Sequence, residues 1–144
     1  MKKLTRKQCS QRLYSACFKW LKLLWVGDFD LLVRIDDLKD EEKESSGFKI
    51  DAKSSINTPY KLITIVGDEE SIRTMNDRAL DETACHEILH IILDPLHSLL
   101  DEVITKLPKS KHEPYTNWTT RELESTTTHL TNVVRALYRA PKGK

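Results

Sequence analysis

Ala84-Cys85-His86-Glu87-Ile88-Leu89-His90-Ile91-Ile92-Leu93 is the stretch of sequence that decides how this chain folds. Four residues of an α-helix advance about 400° and about 6 Å, so His86 and His90 leave one face of a helix at adjacent turns. Neutral imidazole nitrogens bind Zn²⁺ at about 2.0 to 2.1 Å. The H-E-x-x-H spacing therefore predicts that the two histidines bind one zinc ion.

The glutamate beside the first histidine gives this motif a chemical role. A catalytic zinc site keeps three protein ligands and a water whose pKa falls to about 7. A carboxylate within hydrogen-bond reach of that water can act as the general base. We therefore expect a zinc-dependent metallopeptidase in which Glu87 is catalytic. The alternative is an ordinary core helix with satisfied polar residues, although burying two histidines and a glutamate is costly unless something binds them.

Length and composition predict one domain over residues 1–144, with 23 basic against 22 acidic residues. Residues 1–27 hold seven basic side chains and no acidic one, which we interpret as a solvated helix face. We expect neither a nucleic-acid nor a membrane partner, and no segment approaches about 18 uninterrupted apolar residues. The three cysteines, Cys9, Cys17 and Cys85, show no C-x-x-C spacing, which favours a cytoplasmic location.

Hydrophobic periodicity predicts an α+β fold in which helices flank a small sheet. An amphipathic helix is expected over 5–25 and a three-stranded sheet over 29–66, with strands at Phe29–Ile35, Phe48–Lys53 and Tyr60–Val66. The metal-site helices are expected over 82–104, after an N-cap at Asp81 and with an end or kink near Pro95, and over 119–139. Residues 106–118 are expected to be a long exposed connection.

The zinc site needs a third ligand from outside the motif. His97 lies about 10.5 Å beyond His90 along a helix, which is too far to share one ion. Glu122 and Glu124 flank the apolar stripe of the last helix, so periodicity does not choose between them. A capping box at Thr119 would occupy Glu122, which favours Glu124 as the ligand. Glu122 and His112 remain alternatives.

The order of elements resembles the minimal zincin architecture. The segments Leu23-Leu24-Trp25, Tyr60-Lys61-Leu62-Ile63-Thr64-Ile65, Cys85 to His90 and Leu123-Glu124 through Val134 resemble small gluzincin-like zinc metallopeptidases of phage and prophage genomes, related to ImmA/IrrE-type peptidases. The resemblance implies a glutamate ligand on the last helix, again Glu124. It further implies that the Tyr60–Val66 strand lines a cleft where an extended peptide substrate adds a strand.

Two other functions remain open from sequence. The domain could be a catalytically silent zincin-fold regulatory protein whose basic N-terminal helix contacts a host protein or nucleic acid. It could also hold a purely structural zinc with no open coordination position. Tyr115 or Tyr138 could serve as a second oxyanion donor in an active enzyme. Substrate, cleavage preference and oligomeric state are not encoded in any motif of the chain.

Overall fold

The computed structural model of the chain describes residues 4–39 and 50–139, which form an α+β fold as expected. None of the helices in these ranges combines the length and hydropathy needed to cross a membrane. The described elements, in chain order, are α1 (Arg6–Leu23), β1 (Asp30–Asp36), β2 (Ala52–Asn57), a 3-10 turn (Thr58–Tyr60), β3 (Leu62–Asp68), α2 (Glu69–Thr74), α3 (Asp77–Thr105) and α4 (Lys109–Arg139).

The sheet has the strand order β1-β3-β2 and is mixed. β3 pairs parallel to β1, with Asp30 opposite Leu62, and antiparallel to β2, with Asn57 opposite Leu62. Alternate residues of β3 are buried, and Ile63 and Ile65 are fully inaccessible. The central strand therefore supplies one face of the core.

Two sequence predictions about the sheet are wrong. β2 begins at Ala52 and continues to Asn57, whereas the strand was expected over Phe48–Lys53; Phe48 itself lies outside the described residues. β3 is hydrogen-bonded on both edges, so the expected addition of a peptide strand to Tyr60–Val66 has no free edge to use. Strand patterns identify pleated segments but do not reveal their order in a sheet.

Helix α1 packs across the sheet through one apolar face. Its N-cap is Thr5, whose hydroxyl accepts from the Gln8 amide while the Gln8 side chain accepts from the Thr5 amide. The buried residues of this face are Cys9, Leu13, Cys17, Trp20 and Leu21. The predicted amphipathic helix is confirmed, two residues shorter at its C-terminal end than expected.

The metal-motif helix starts earlier than its predicted N-cap at Asp81. Asn76 caps α3, since its side-chain oxygen accepts from the Ala79 amide at 2.9 Å. Asp81 instead lies inside the helix, and its carboxylate accepts hydrogen bonds from Lys19 and Trp20 of α1. Pro95 removes one intrahelical hydrogen bond but does not end α3, which continues to Thr105.

The last helix also starts earlier than predicted. The connection after α3 is short, and α4 begins at Lys109, ten residues before the expected start at Thr119. Thr119 is not an N-cap, because its hydroxyl donates to the Thr116 carbonyl at 3.1 Å within the helix. Pro114 is accommodated inside α4. The prediction of an exposed connection over 106–118 is therefore wrong.

The buried face of α4 is partly polar. Thr127 and Thr131 are buried, and their hydroxyls donate to the carbonyls of Leu123 and Thr127, both at 2.8 Å. This back-bonding satisfies the hydroxyls without a partner from another element. Leu137, further along α4, is 71% exposed.

The described residues divide into two compact units, one ending at Ile91 and the other beginning at Ile92. The first contains α1, the sheet, α2 and the first half of α3. The second contains the rest of α3 and α4. The expectation of one domain over residues 1–144 stays a prediction.

Gly67 controls how closely α1 approaches the sheet. A Cβ at this position would lie 2.6 Å from Leu13 Cδ2 and 2.8 Å from Ile72 Cγ1. We expect Gly67→Ala to lower the free energy of unfolding by about 1 to 3 kcal/mol through overpacking. Gly27→Ala is the matched control, since nothing lies within 4 Å of its Cβ position. Urea unfolding followed by circular dichroism measures both; equal stability of the two variants would contradict this account.

Candidate metal site

One face of α3 is buried and sets the direction of the histidines. Ala84, Cys85, Ile88 and Leu89 are at most 4% exposed, whereas His86 and His90 are half-buried. Because the four apolar residues hold the helix in one rotational position, the two imidazoles extend from the same neighbouring side.

The two imidazoles converge as the spacing predicts. Their Nε2 atoms lie 2.9 Å apart, and the rings meet edge to face with centroids 4.6 Å apart at an interplanar angle of 80°. At this separation one ring can donate its N–H to the other, with roles that depend on the tautomers. Both nitrogens therefore point at one small region of space.

The described residues contain one group suited to binding a metal ion, and it consists of His86, His90 and Glu124. One ligand atom from each residue lies within 4.8 Å of the other two. Glu122, the alternative from sequence, is exposed and pairs with the Arg121 guanidinium at 3.1 Å. The structure thus groups Glu124, the residue favoured from sequence, with the two histidines. The capping argument that selected Glu124 is nevertheless wrong, because Thr119 lies inside α4.

The donor atoms fit a small divalent cation. Two imidazole nitrogens at about 2.05 Å from a tetrahedral ion are separated by about 3.3 Å, by simple geometry from the usual zinc distances. The Nε2 atoms are a few tenths of an ångström closer than this, which small side-chain rotations would correct. Two imidazoles and one carboxylate form a donor set that zinc accepts and that leaves a fourth position. The group can hold a metal ion.

The glutamate of the motif, which directly follows His86 in sequence, is buried. Glu87 is 6% exposed. Its charge reaches the thiol of Cys17 on α1, whose pKa is raised mainly by burial and further by Glu87. Cys17 is therefore held as a neutral thiol. The position of Cys17 in the sequence gave no sign that the charge of the predicted general base reaches it.

A second contact holds α1 against the start of the metal helix. Asp81 Oδ1 accepts from Lys19 Nζ at 2.6 Å and from the Trp20 indole nitrogen at 3.0 Å, and the same indole also reaches the Asp81 carbonyl. Asp81 lies five residues before His86, so these bonds position the first turns of α3. Sequence reasoning missed this role because it treated Asp81 as a helix cap.

The other candidate groups have different environments. His97 is exposed and lies 3.6 Å from Asp101, while His112 is in α4 with a ring nitrogen 2.9 Å from the Leu107 carbonyl. Neither belongs to the metal-binding group. Tyr115 packs edge to face with Trp118 and is 40% exposed, and Tyr138 is 48% exposed.

Comparison with known proteins adds no relative. No family model, no curated protein and no solved structure matches this chain. The resemblance to phage zinc metallopeptidases therefore stays a prediction that rests on the H-E-x-x-H motif and the element order.

Metal binding can be tested with a pair of neighbouring glutamates. We expect Glu124→Gln to weaken zinc affinity by more than the roughly 10- to 100-fold caused by losing a group that only orients a ligand. Glu122→Gln should leave the affinity unchanged, and His86→Ala should abolish stoichiometric binding. Metal content after dialysis and competition with a fluorescent chelator provide the measurements. Equal effects of the two glutamate variants would remove Glu124 from the ligand set.

The cysteines offer a test of burial around Glu87. Cys9, Cys17 and Cys85 are fully buried, and the pKa of Cys17 is raised, so the reactive thiolate is disfavoured below that raised pKa. We expect almost no reaction of the native protein with Ellman's reagent at about pH 8. All three thiols should react in guanidinium chloride. A rapidly reacting thiol in the native protein would contradict the packing of α1 on α3.

Proposed function

We propose that this protein is a zinc-dependent metallopeptidase of the zincin type that hydrolyses peptide bonds in a peptide or protein substrate. His86, His90 and Glu124 would be the metal ligands and Glu87 the general base. The observation that supports the proposal is the grouping of one ligand atom from each of these three residues within 4.8 Å of one another. Glu87, which directly follows His86 in sequence, is buried.

The donor set is the reason for proposing zinc. Two neutral imidazoles with one carboxylate and an open position are typical of catalytic zinc sites. The absence of thiolate from the group argues against a structural site, since such sites are usually closed by cysteines. Bound zinc would polarise a substrate carbonyl and lower the pKa of a water to about 7.

The residues of the chain would divide the remaining work. Glu87 follows His86 directly, and its carboxylate would accept a proton from the attacking water. The same carboxylate could then return that proton to the leaving amine nitrogen, which completes hydrolysis without a net change in the protein. Burial of Glu87 limits access of bulk water and strengthens its electrostatic interaction with the reacting groups.

The substrate must approach by a route other than the one expected from sequence. β3 is the central strand, so a peptide cannot pair with it. Among the described strands, the edges that could accept a peptide backbone belong to β1 and β2.

Glu87→Gln separates catalysis from metal binding. We expect this variant to keep its zinc and lose about 10²- to 10⁴-fold in the rate of peptide cleavage, which is the usual contribution of a general base. Glu82→Gln, an exposed glutamate on the same helix, should cleave at the parent rate. Digestion of a complex peptide mixture followed by mass spectrometry detects cleavage at any sequence that the mixture contains.

The outcomes of this experiment distinguish the competing functions. A zinc-loaded Glu87→Gln variant that cleaves as fast as the parent would exclude the proposed mechanism. A parent protein that binds zinc but cleaves nothing in the mixture would favour a catalytically silent regulatory domain.

A further inference from the structure

The second half of helix α3 has an apolar stripe that faces solvent. Its side chains are spaced by four, three and four residues, which places them on one face of the helix. All of them are aliphatic, and each is between 42% and 56% exposed. We call this surface the α3 stripe, and its members are Ile92, Leu96, Leu99 and Val103.

The α3 stripe continues a face of the helix that is buried further towards its N-terminus. Cys85 and Leu89 precede Ile92 and Leu96 by seven residues, which is about two helical turns, so they lie on the same face. Cys85 is fully buried and Leu89 is 4% exposed, whereas Ile92 and Leu96 are 42% and 46% exposed. The apolar spacing therefore extends beyond the residues that the described fold covers.

The second unit has little apolar core of its own. Among its described residues, Ile104 is the one buried hydrophobic side chain, and the other buried positions are Thr127, Thr131 and Arg135. An apolar helix stripe is stable when it packs against another element. The described part of this unit provides no such element for the α3 stripe, since the stripe is exposed.

The remainder of the sequence offers little to cover the stripe. Residues 1–3, 40–49 and 140–144 lie outside the described ranges, and their large apolar side chains are Met1 and Phe48. Two side chains that are 47 positions apart in sequence do not match four aliphatic side chains in a row. Another molecule is therefore the better candidate for the cover.

We infer that the α3 stripe is a dimer interface at which two copies of this chain pack antiparallel. The stripe is symmetric about its centre, because its spacing is 4-3-4 and its order is β-branched, leucine, leucine, β-branched. About a twofold axis at that centre, Ile92 of one copy meets Val103 of the other, and Leu96 meets Leu99. This self-complementarity is what an isologous interface requires.

The charges beside the stripe permit this pairing. Glu102 flanks the stripe and pairs with Lys106 of its own helix at 2.6 Å. In the antiparallel arrangement the two copies of Glu102 lie about 13 Å apart along the helix axis, so the acidic side chains do not oppose each other. Asp94 and Asp101 project from the opposite side of the helix by its periodicity. Like charges therefore do not meet across the stripe.

A lipid bilayer fits the stripe less well than a second copy does. Residues 92–106 hold three acidic side chains against one lysine. Helices that lie in a membrane interface are usually rich in lysine and arginine on their polar face, because bilayer surfaces are commonly anionic. The acidic polar face of this helix would be repelled by such a surface.

The length of the stripe predicts that the dimer is weak. Its eleven-residue span covers about 16 Å of helix, and one helix pair of this length buries less than the roughly 1,600 Å² of a standard interface. We therefore expect a dissociation constant on the order of 10 to 100 μM.

Sedimentation equilibrium of the full chain tests the interface. Between about 5 and 500 μM the apparent mass should rise from 16.7 kDa towards twice that value. Leu96→Glu and Leu99→Glu should each weaken the dimer about tenfold or more, because each buries an unpaired charge. Leu23→Glu is the matched control, since this leucine of α1 is 38% exposed and lies outside the stripe. Circular dichroism should show the same helix content in all variants.

Several results would overturn the inference. A mass of 16.7 kDa at every concentration would exclude the dimer, and equal losses in Leu99→Glu and Leu23→Glu would exclude the stripe as its interface. A monomer that sediments with phosphatidylcholine vesicles through the same leucines would assign the stripe to a bilayer. Loss of the dimer in EDTA would assign the contact to a bridging metal, because none of the candidate metal ligands belongs to the stripe.

Disulfide cross-linking tests the direction of the pairing. Ile92→Cys mixed with Val103→Cys should form a covalent dimer under mild oxidation, because these residues face each other. Neither variant alone should cross-link, since the two copies of each residue lie about 16 Å apart and a disulfide needs Cα atoms within about 7 Å. The native cysteines are buried and should not react. Cross-linking of each variant alone, as in a parallel pair, would overturn the antiparallel arrangement.

Discussion

The burial of one face of α3 is the constraint on which the rest of the site depends. Ala84, Cys85, Ile88 and Leu89 pack into the first unit, and each buried isoleucine or leucine contributes about 1.5 to 3 kcal/mol. Side-chain pairs four residues apart on an exposed helix contribute only about 0.2 to 0.5 kcal/mol. Core burial therefore determines the rotation of the helix, and the convergence of His86 and His90 is its consequence.

Local patterns in the sequence were sufficient for part of this structure. Three features depend on spacing within a few residues, namely the α+β class, the extent of α1 and the direction of both histidines, and all three agree with the structure. One boundary that failed involves a residue with distant partners. Asp81 has the side chain of a helix cap, yet it serves α1 by accepting from Lys19 and Trp20. Its partners lie about 60 residues away in sequence, so periodicity could not reveal them.

The third ligand shows how a correct residue can follow from an incorrect step. Thr119 has the sequence of a capping box, but α4 begins at Lys109 and continues through Pro114. Glu122 is not a metal ligand in the structure because its exposed carboxylate pairs with Arg121. A capping box is not the reason. Thr127 and Thr131, which are buried on this helix, donate to its own carbonyls. A single proline or capping motif is thus a weak indicator of a helix boundary when the flanking residues favour helix.

The burial of Glu87 carries a free-energy cost. A carboxylate that is 6% exposed loses most of its hydration, and a nonpolar side chain of similar size would pack there at lower cost. Its negative charge also raises the pKa of Cys17, so its effect extends into the core of the first unit. A divalent cation on His86 and His90 would place positive charge beside this carboxylate and offset part of the cost. Under the proposed function, metal binding would therefore help the chain to retain a buried acid.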